Sequence, residues 1–400
     1  MITVDQALNI VLANISPLGV EAVDLDHALG RVLAQEVRAD LDLPPFDRAR
    51  MDGFAVRSAD VAAAPVTLRV IGEVAAGASF DGDVGTGQAV KIFTGAPMPH
   101  GADAVQMVEV TAQSGDQVLI KEPVASGQFV TPRASEVESG RLIAEQGREI
   151  GPAEMAVLAS FGYAAPRVAI RPRVAVLSTG SELVEVSAKP RGAQIRNSNS
   201  YTIASYAARA GADARSLGTI RDTPEATARA LQTTTGKYDI VITSGGVSMG
   251  DYDLVKAALA ELGAEIFFDK VAIRPGKPTV FARLDSTYYF GLPGNPVSTS
   301  VTFNVFARPA IRKMLGDREP LLPTVRAIAA HDVKDSSDRR SYLPGRLHVE
   351  QGRALVTPLK WGGSSDLVAF MNANALIVVP EETHDISQGE AIDTLLLSAI

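Results

Sequence analysis

Between residue 171 and about residue 318 the sequence alternates between short apolar runs and helical patterns, and this alternation leaves few folds open. RVAVLSTG, RSLGTI, YDIVITSGG, EIFFDKVAI, TVFARL and TYYFGLPGN read as strands. SNSYTIASYAARAGA, PEATARALQTT, DLVKAALAELG and PVSTSVTFNVFARPAIRKML read as helices, one opened by Pro224 and one stopped by Gly211. The strands are apolar at consecutive positions, so both faces must be covered. The expected fold is a parallel α/β sheet with helices on each side.

The flanking segments have other rhythms. Thr3 and Gln6 form a capping-box pattern, and Ala7, Leu8, Val11, Leu12 and Ile15 recur at helical spacing. A second helical stretch is expected over residues 27–35, before the loop LDLPPFDRARMDGFAV. Then VTLRVIGEV, AVKIFTG, AVQMVEV and QVLIKEP, separated by Gly, Asp and Pro clusters, predict a small all-β module. Residues 131–170 return to a helical pattern, and beyond Pro320 the runs TVRAIAAHDV, LVTPLKW and NALIVVP are β-type. At 400 residues the chain exceeds what one core serves. The expected class is α/β plus all-β modules. Residues 1–44 with 131–170 form an N-terminal helical and linker domain, 45–130 an inserted β domain, 171–318 the parallel-sheet α/β domain, and 319–400 a β-barrel-like domain.

Composition narrows the chemistry. With no cysteine, disulfides, thiolate metal sites, iron–sulfur clusters and a catalytic thiol are excluded. The five histidines are scattered, so a metal would be a hard cation such as magnesium held by carboxylates. A formal net charge of -8 argues against nucleic acid, and any anionic ligand must be met by local cations and backbone N–H groups. No apolar run is long enough for a membrane span, and the N-terminus lacks the basic region of a signal peptide. The expected location is the cytoplasm.

In open α/β sheets ligands bind beyond the carboxyl ends of the strands. Three strands end in unusual loops: Ser178-Thr179-Gly180-Ser181-Glu182, Thr243-Ser244-Gly245-Gly246-Val247-Ser248 running to Asp251 and Asp253, and Leu292-Pro293-Gly294-Asn295-Pro296-Val297-Ser298. Glycine admits close backbone approach, and helix starts bind anions. On one edge, these loops would cradle a phosphate or pyrophosphate. Arg274-Pro275-Gly276-Lys277 adds two cations around a rigid turn. Glu182, Asp251 and Asp253 beside an anion cradle imply a bridging divalent cation. Gly246-Val247-Ser248-Met249-Gly250 also matches G-x-S-x-G, but Thr243-Ser244-Gly245 lengthens the loop beyond a nucleophile elbow. Ser248 reads better as a phosphate ligand.

Together the blocks resemble the molybdopterin molybdenumtransferase (molybdenum insertase) family over essentially the whole chain. They are Pro45-Phe46-Asp47 with Met51-Asp52-Gly53-Phe54-Ala55-Val56, Thr94-Gly95-Ala96-Pro97-Met98-Pro99 with Gly101-Ala102-Asp103-Ala104-Val105, Ser178-Thr179-Gly180 with Glu182-Leu183, Ile195-Arg196-Asn197-Ser198-Asn199, SGGVSMGDYD, Pro275-Gly276-Lys277-Pro278, and Leu292 to Ser298. The resemblance implies a homodimer of four-domain subunits. It implies that adenylylated molybdopterin and molybdate react with a divalent cation, Mg2+, releasing AMP as molybdenum enters the dithiolene. By the same resemblance Asp52, Thr94, Glu182, Asp251, Asp253 and Lys277 carry the reaction. Glu182 with Asp251 or Asp253 would organise the cation, while Asp52 and Thr94 would reach across the dimer. The pterin and its phosphates would meet Ser178, Thr179, Gly180, Ser244, Gly245, Gly246, Ser248, Arg274, Gly276, Pro293, Gly294, Asn295 and Ser298. Molybdopterin adenylyltransferase and molybdenum-enzyme apoproteins are the implied partners; nucleic acid and membranes are not.

The chain departs from the family pattern in several places. Ala49-Arg50 replaces Ser-Ala, Ser181 replaces an Asp, and Ala134-Ser135-Glu136 replaces Gly-Glu-Asp. Arg274 stands for a lysine, Gly362-Gly363-Ser364 for Gln-Gly-Ser, and Pro344 for an arginine. These changes suit a second reading, a catalytically impaired paralogue that binds molybdopterin or a partner protein as a carrier or scaffold.

Overall fold

The computed structural model describes residues 1–247 and 254–398. Two compact units form, one from residues 1–35, 146–152 and 165–400, the other from residues 36–145 and 153–164.

The larger unit begins with α1 (Val4–Asn14), whose capping box closes as expected: Gln6 N–H donates to Thr3 Oγ1, and Thr3 N–H to the Gln6 side chain. Residues 27–35 do not continue as a helix. After a single 3-10 turn, Leu25–His27, Gly30 takes a positive φ, and the buried neighbours Val32 and Leu33 bridge to Glu149 and Val168. Burial of adjacent residues is a strand pattern, and it overrides local helix propensity.

The smaller unit is a six-stranded sheet made of β1 (Gly53–Val56), β2 (Val66–Val74), β3 (Gln88–Ile92), β4 (Ala104–Met107), β5 (Thr111–Ser114) and β6 (Gln117–Ile120), in the order β4-β1-β3-β2-β6-β5. Both faces are covered: Phe54, Val56, Leu68 and Ile120 pack on one, Ala55, Val90, Ile92 and Val105 on the other. Residues 131–170 hold only one helix, α2 (Pro152–Ser160). Val130–Thr131, Leu142–Ala144 and Arg167–Ala169 are extended, because Ala134, Gly140 and Gly147 take positive φ and break the helical pattern into turns.

Returning to the larger unit, β7 (Arg173–Thr179), α3 (Asn199–Arg209), β8 (Asp213–Ile220), α4 (Pro224–Thr234), β9 (Ile240–Ser244), α5 (Leu254–Glu261), β10 (Glu265–Phe268), β11 (Ile273–Arg274), β12 (Val280–Leu284) and β13 (Thr287–Leu292) follow in turn. The α/β sheet has the order β8-β7-β9-β13-β12-β10. Successive residues serve opposite layers. Val174, Val176, Ile240 and Ile242 pack with α1 and α3, while Ala175, Leu177 and Val241 pack against Leu231 of α4 and Leu259 of α5. The sheet is mixed and not wholly parallel. β12 and β13 form an antiparallel hairpin closed at Asp285, which takes a φ of 52°.

The last expected helix runs as α6 (Pro296–Thr302), a π-helical stretch at Phe303–Ala307 and α7 (Arg308–Met314). Beyond it, β14 (Thr324–Ala329), β15 (Arg340–Glu350), β16 (Arg353–Pro358), α8 (Leu367–Met371), β17 (Ala375–Val379) and β18 (Ala391–Leu396) build the terminal β domain. β15 pairs with both β16 and β17, so five strands close a barrel around Ala327, Leu347, Val356, Ile377 and Ile392. β11 adds to that barrel beside β15, with Ile273 opposite Arg340 and Arg274 opposite Ser341. Among the described residues no helix is long and apolar enough to cross a membrane.

Candidate functional site

The three unusual loops leave adjacent parallel strands. In the ladder Ser178 lies opposite Ser244, and Ser244 opposite Leu292, so all three chains emerge at the same edge. Gly245 sets their spacing. It has a φ of 86°, its N–H donates to Leu292 O at 3.0 Å, and an added Cβ would lie 2.6 Å from Thr179 O. Asn199, at the start of α3, ties two loops together through Nδ2, which donates to Ser244 Oγ and Gly294 O, both at 2.7 Å. Ser178 is fully buried, its hydroxyl shared with Ser200 at 2.7 Å and Asn197 at 3.2 Å. The Ser178 and Ser244 hydroxyls therefore pin the loops together. Thr179 Oγ1 and Asn199 Oδ1 are buried at this edge without a hydrogen-bond partner among the described residues.

Glu182 is exposed and stands over Gly180, while Ser181 N–H donates to Asp222 Oδ2 at 3.3 Å. Hence a carboxylate from the loop after β8 joins the same edge. Ser248, Asp251 and Asp253 lie outside the described residues.

The third loop has a second side. Pro293, Asn295 and Ser298 line a cleft of about 540 Å³, faced by Arg274 at the end of β11, by Gly276 and Lys277 from the turn after it, and by Arg339, Trp361 and Ser364 from the barrel domain. Asn295 Nδ2 donates to Ser364 Oγ at 2.8 Å, and Val297 N–H to Ser364 O at 3.0 Å, which fixes this wall. Arg339 Nη1 donates to Ile273 O at 2.9 Å, and Arg274 pairs with Asp335. The Lys277 ammonium has no hydrogen bond or ion pair among the described residues. Three cations thus converge on one cleft of an acidic chain, an arrangement suited to a small oxyanion.

In the smaller unit Asp52 and Thr94 come together. Asp52 Oδ1 accepts from the Thr94 N–H and hydroxyl, each at 2.7 Å. The backbone donor first, then the hydroxyl, holds the carboxyl below the usual aspartate range. Glu136, in the departed linker motif, accepts from Arg48 at 2.9 Å.

Comparison with known proteins matches three stretches of the chain. Residues 2–162 match the MoeA N-terminal region (domain I and II), residues 175–313 the probable molybdopterin binding domain, and residues 326–397 the MoeA C-terminal region (domain IV). The molybdopterin molybdenumtransferase of Bacillus subtilis (strain 168) is 36% identical over 385 residues, covering 94% of this chain and 90% of that protein. That of Nostoc sp. is 39% identical over 388 residues, covering 94% and 88%. The chain belongs to the molybdopterin molybdenumtransferase family. The crystal structure of the molybdopterin biosynthesis moeA protein from Pyrococcus horikoshii OT3 superposes with a TM-score of 0.85 at 30% identity, covering 99% of this chain and all of that one.

For a molybdopterin molybdenumtransferase family member, three side chains at this site carried no signal in the sequence: Asp222, Arg339 and Trp361. Arg339 adjoins Arg340, the first residue of β15. Arg340 turns to Asp5 at 2.6 Å and Glu381 at 3.3 Å, whereas Arg339 turns to the cleft. Asn199 was visible only as part of a matching block.

Proposed function

We propose that this chain, a transferase of molybdenum-cofactor biosynthesis, inserts molybdenum into adenylylated molybdopterin with release of AMP. The observation that carries this reading is the cleft where Arg274, Lys277 and Arg339 converge, sharing a wall with the loop cradle. Molybdate and the phosphoanhydride are both anionic, and bringing them together costs electrostatic repulsion. Preorganised cations and backbone N–H groups in a fixed cleft lower that cost. Lys277 supplies an ammonium with no acidic partner among the described residues, so its charge is available to a ligand. The cradle at Thr179, Gly180, Gly245, Gly246 and Gly294 holds the pterin phosphate end, with Ser178 and Ser244 keeping the loops in place.

Glu182 offers an exposed oxygen donor of the hard type, which suits Mg2+; Asp251 and Asp253 would join it. A divalent ion held there would supply Lewis-acid charge to phosphate oxygens. Asp52 and Thr94, already paired, would act from the partner subunit of a homodimer. We assign the chain to the cytoplasm and the four domains to 1–44 with 131–170, 45–130, 171–318 and 319–400. Molybdopterin adenylyltransferase and molybdenum-enzyme apoproteins are its supplier and acceptors.

The test incubates the purified protein with adenylylated molybdopterin, Mg2+ and molybdate, and follows AMP release and reconstitution of a molybdenum-dependent apoenzyme. The expected result is AMP release that requires molybdate, active cofactor, and loss of both by at least tenfold, roughly one lost charged contact, in Glu182→Ala and Lys277→Ala. Tight binding of the adenylylated pterin without turnover overturns the reading and leaves the carrier or scaffold role.

A further inference from the structure

Behind the cleft lies a buried carboxylate that does not itself line it. Asp335 has a side chain only 1% exposed, and its Oδ1 pairs with Nη1 of Arg274, whose side chain is 36% exposed and lines the cleft. The other oxygen, Oδ2, is buried without a hydrogen-bond partner among the described residues. The backbone around it is anchored twice. Val333–Lys334 pairs antiparallel with Asp385–Ile386, and the Asp335 N–H donates to His384 O at 2.6 Å. Arg274 is anchored as well, since β11 pairs with β15.

A buried carboxylate with one oxygen unsatisfied is a poor stabilising device, because desolvation offsets most of the attraction. Its placement makes sense by what it does to Arg274. The guanidinium carries five N–H donors in a rigid fork. Asp335 takes one donor, from Nη1, on the buried side, which leaves the rest for a ligand in the cleft and fixes a long side chain that would otherwise lose rotamer freedom on binding.

We propose that Asp335 is a positioning residue of the cleft, holding Arg274 in the orientation that receives the oxyanion. The proposal rests on the reading that this cleft takes molybdate. It predicts a sign opposite to simple electrostatics. If Asp335 were only a nearby negative charge, neutralising it would tighten anion binding; if it positions Arg274, neutralising it weakens binding.

The experiment is calorimetric titration of the full chain with molybdate alone at fixed ionic strength, together with the KM for molybdate in AMP release. Asp335→Asn, which removes the ion pair that holds the Arg274 guanidinium, should weaken molybdate binding about tenfold and raise KM with kcat nearly unchanged. In an Arg274→Ala background the same substitution should do nothing further. Asp335→Glu, which keeps the charge, should bind within about threefold of the parent. Unchanged or tighter binding in Asp335→Asn overturns the proposal, as does an equal loss with and without Arg274. Binding that survives intact in Arg274→Ala, Lys277→Ala and Arg339→Ala overturns the cleft reading itself, and the proposal falls with it.

Discussion

Asp52 ionises more readily than an ordinary aspartate because two donors from one residue, Thr94, converge on a single carboxylate oxygen. A depressed folded-state pKa contributes stability above the ordinary aspartate value, and that contribution is lost as pH falls through the depressed one. Thr94→Val removes the hydroxyl and leaves the backbone donor. Titrating the Asp52 carboxyl by NMR should then show its pKa moved part of the way back up, with Thr94→Ser unchanged; an unaltered titration in the valine variant refutes the account. At this scale the sequence was uneven. Asp52 and Thr94 stood in recognisable blocks, and the hydroxyls of Ser178 and Ser244 looked like ligand donors. A hydroxyl reads the same on the page whether it faces solvent or a neighbouring asparagine, so their part in the Asn197 and Asn199 networks became visible only with the chain folded.

Elements were legible wherever burial was symmetric. β7 and β9 are apolar at consecutive positions because helices cover both faces, and between them α3 stops before Gly211 and α4 starts at Pro224, as expected. The antiparallel β12–β13 hairpin was hidden inside that rhythm, although TVFARL and TYYFGL are separated only by Asp285 and Ser286, a hairpin spacing. Residues 27–35 and 131–170 misled because their apolar residues pair across the chain and do not share one helical face. The turn after β11 gives a prediction of its own. Gly276 has a φ of 116°, and an added Cβ would lie 2.3 Å from Thr302 Cγ2. Gly276→Ala should cost roughly 2–3 kcal/mol in denaturant unfolding, from strain and overpacking together. Gly236→Ala has a positive φ but nothing within 4 Å, and should cost only about 1 kcal/mol. Equal losses in the two variants would remove overpacking from the explanation.

Across the whole molecule, distant segments are joined by charge as well as by the apolar core. Arg312, with a side chain 7% exposed, donates to Glu149 at 2.7 Å and to Asp317 at 2.6 Å, and reaches the Ala210 carbonyl at 3.4 Å. Arg312→Met would leave the Asp317 carboxylate, itself 10% exposed, without its cation. The expected loss is about 3–5 kcal/mol by chemical denaturation, and a loss under about 1 kcal/mol contradicts it. The overall class, α/β plus β modules, was readable because each module has its own hydrophobic period. The cleft was readable only in part, since its Arg339, Trp361 and Ser364 come from a different module than its Arg274 and Lys277. That split has a consequence for synthesis. β11 leaves the ribosome long before β15, its ladder partner, and Arg274 waits equally long for Asp335. A nascent chain that has finished the α/β sheet therefore exposes an unpaired strand and an arginine with no counter-ion, and the cleft comes into being only when the barrel closes.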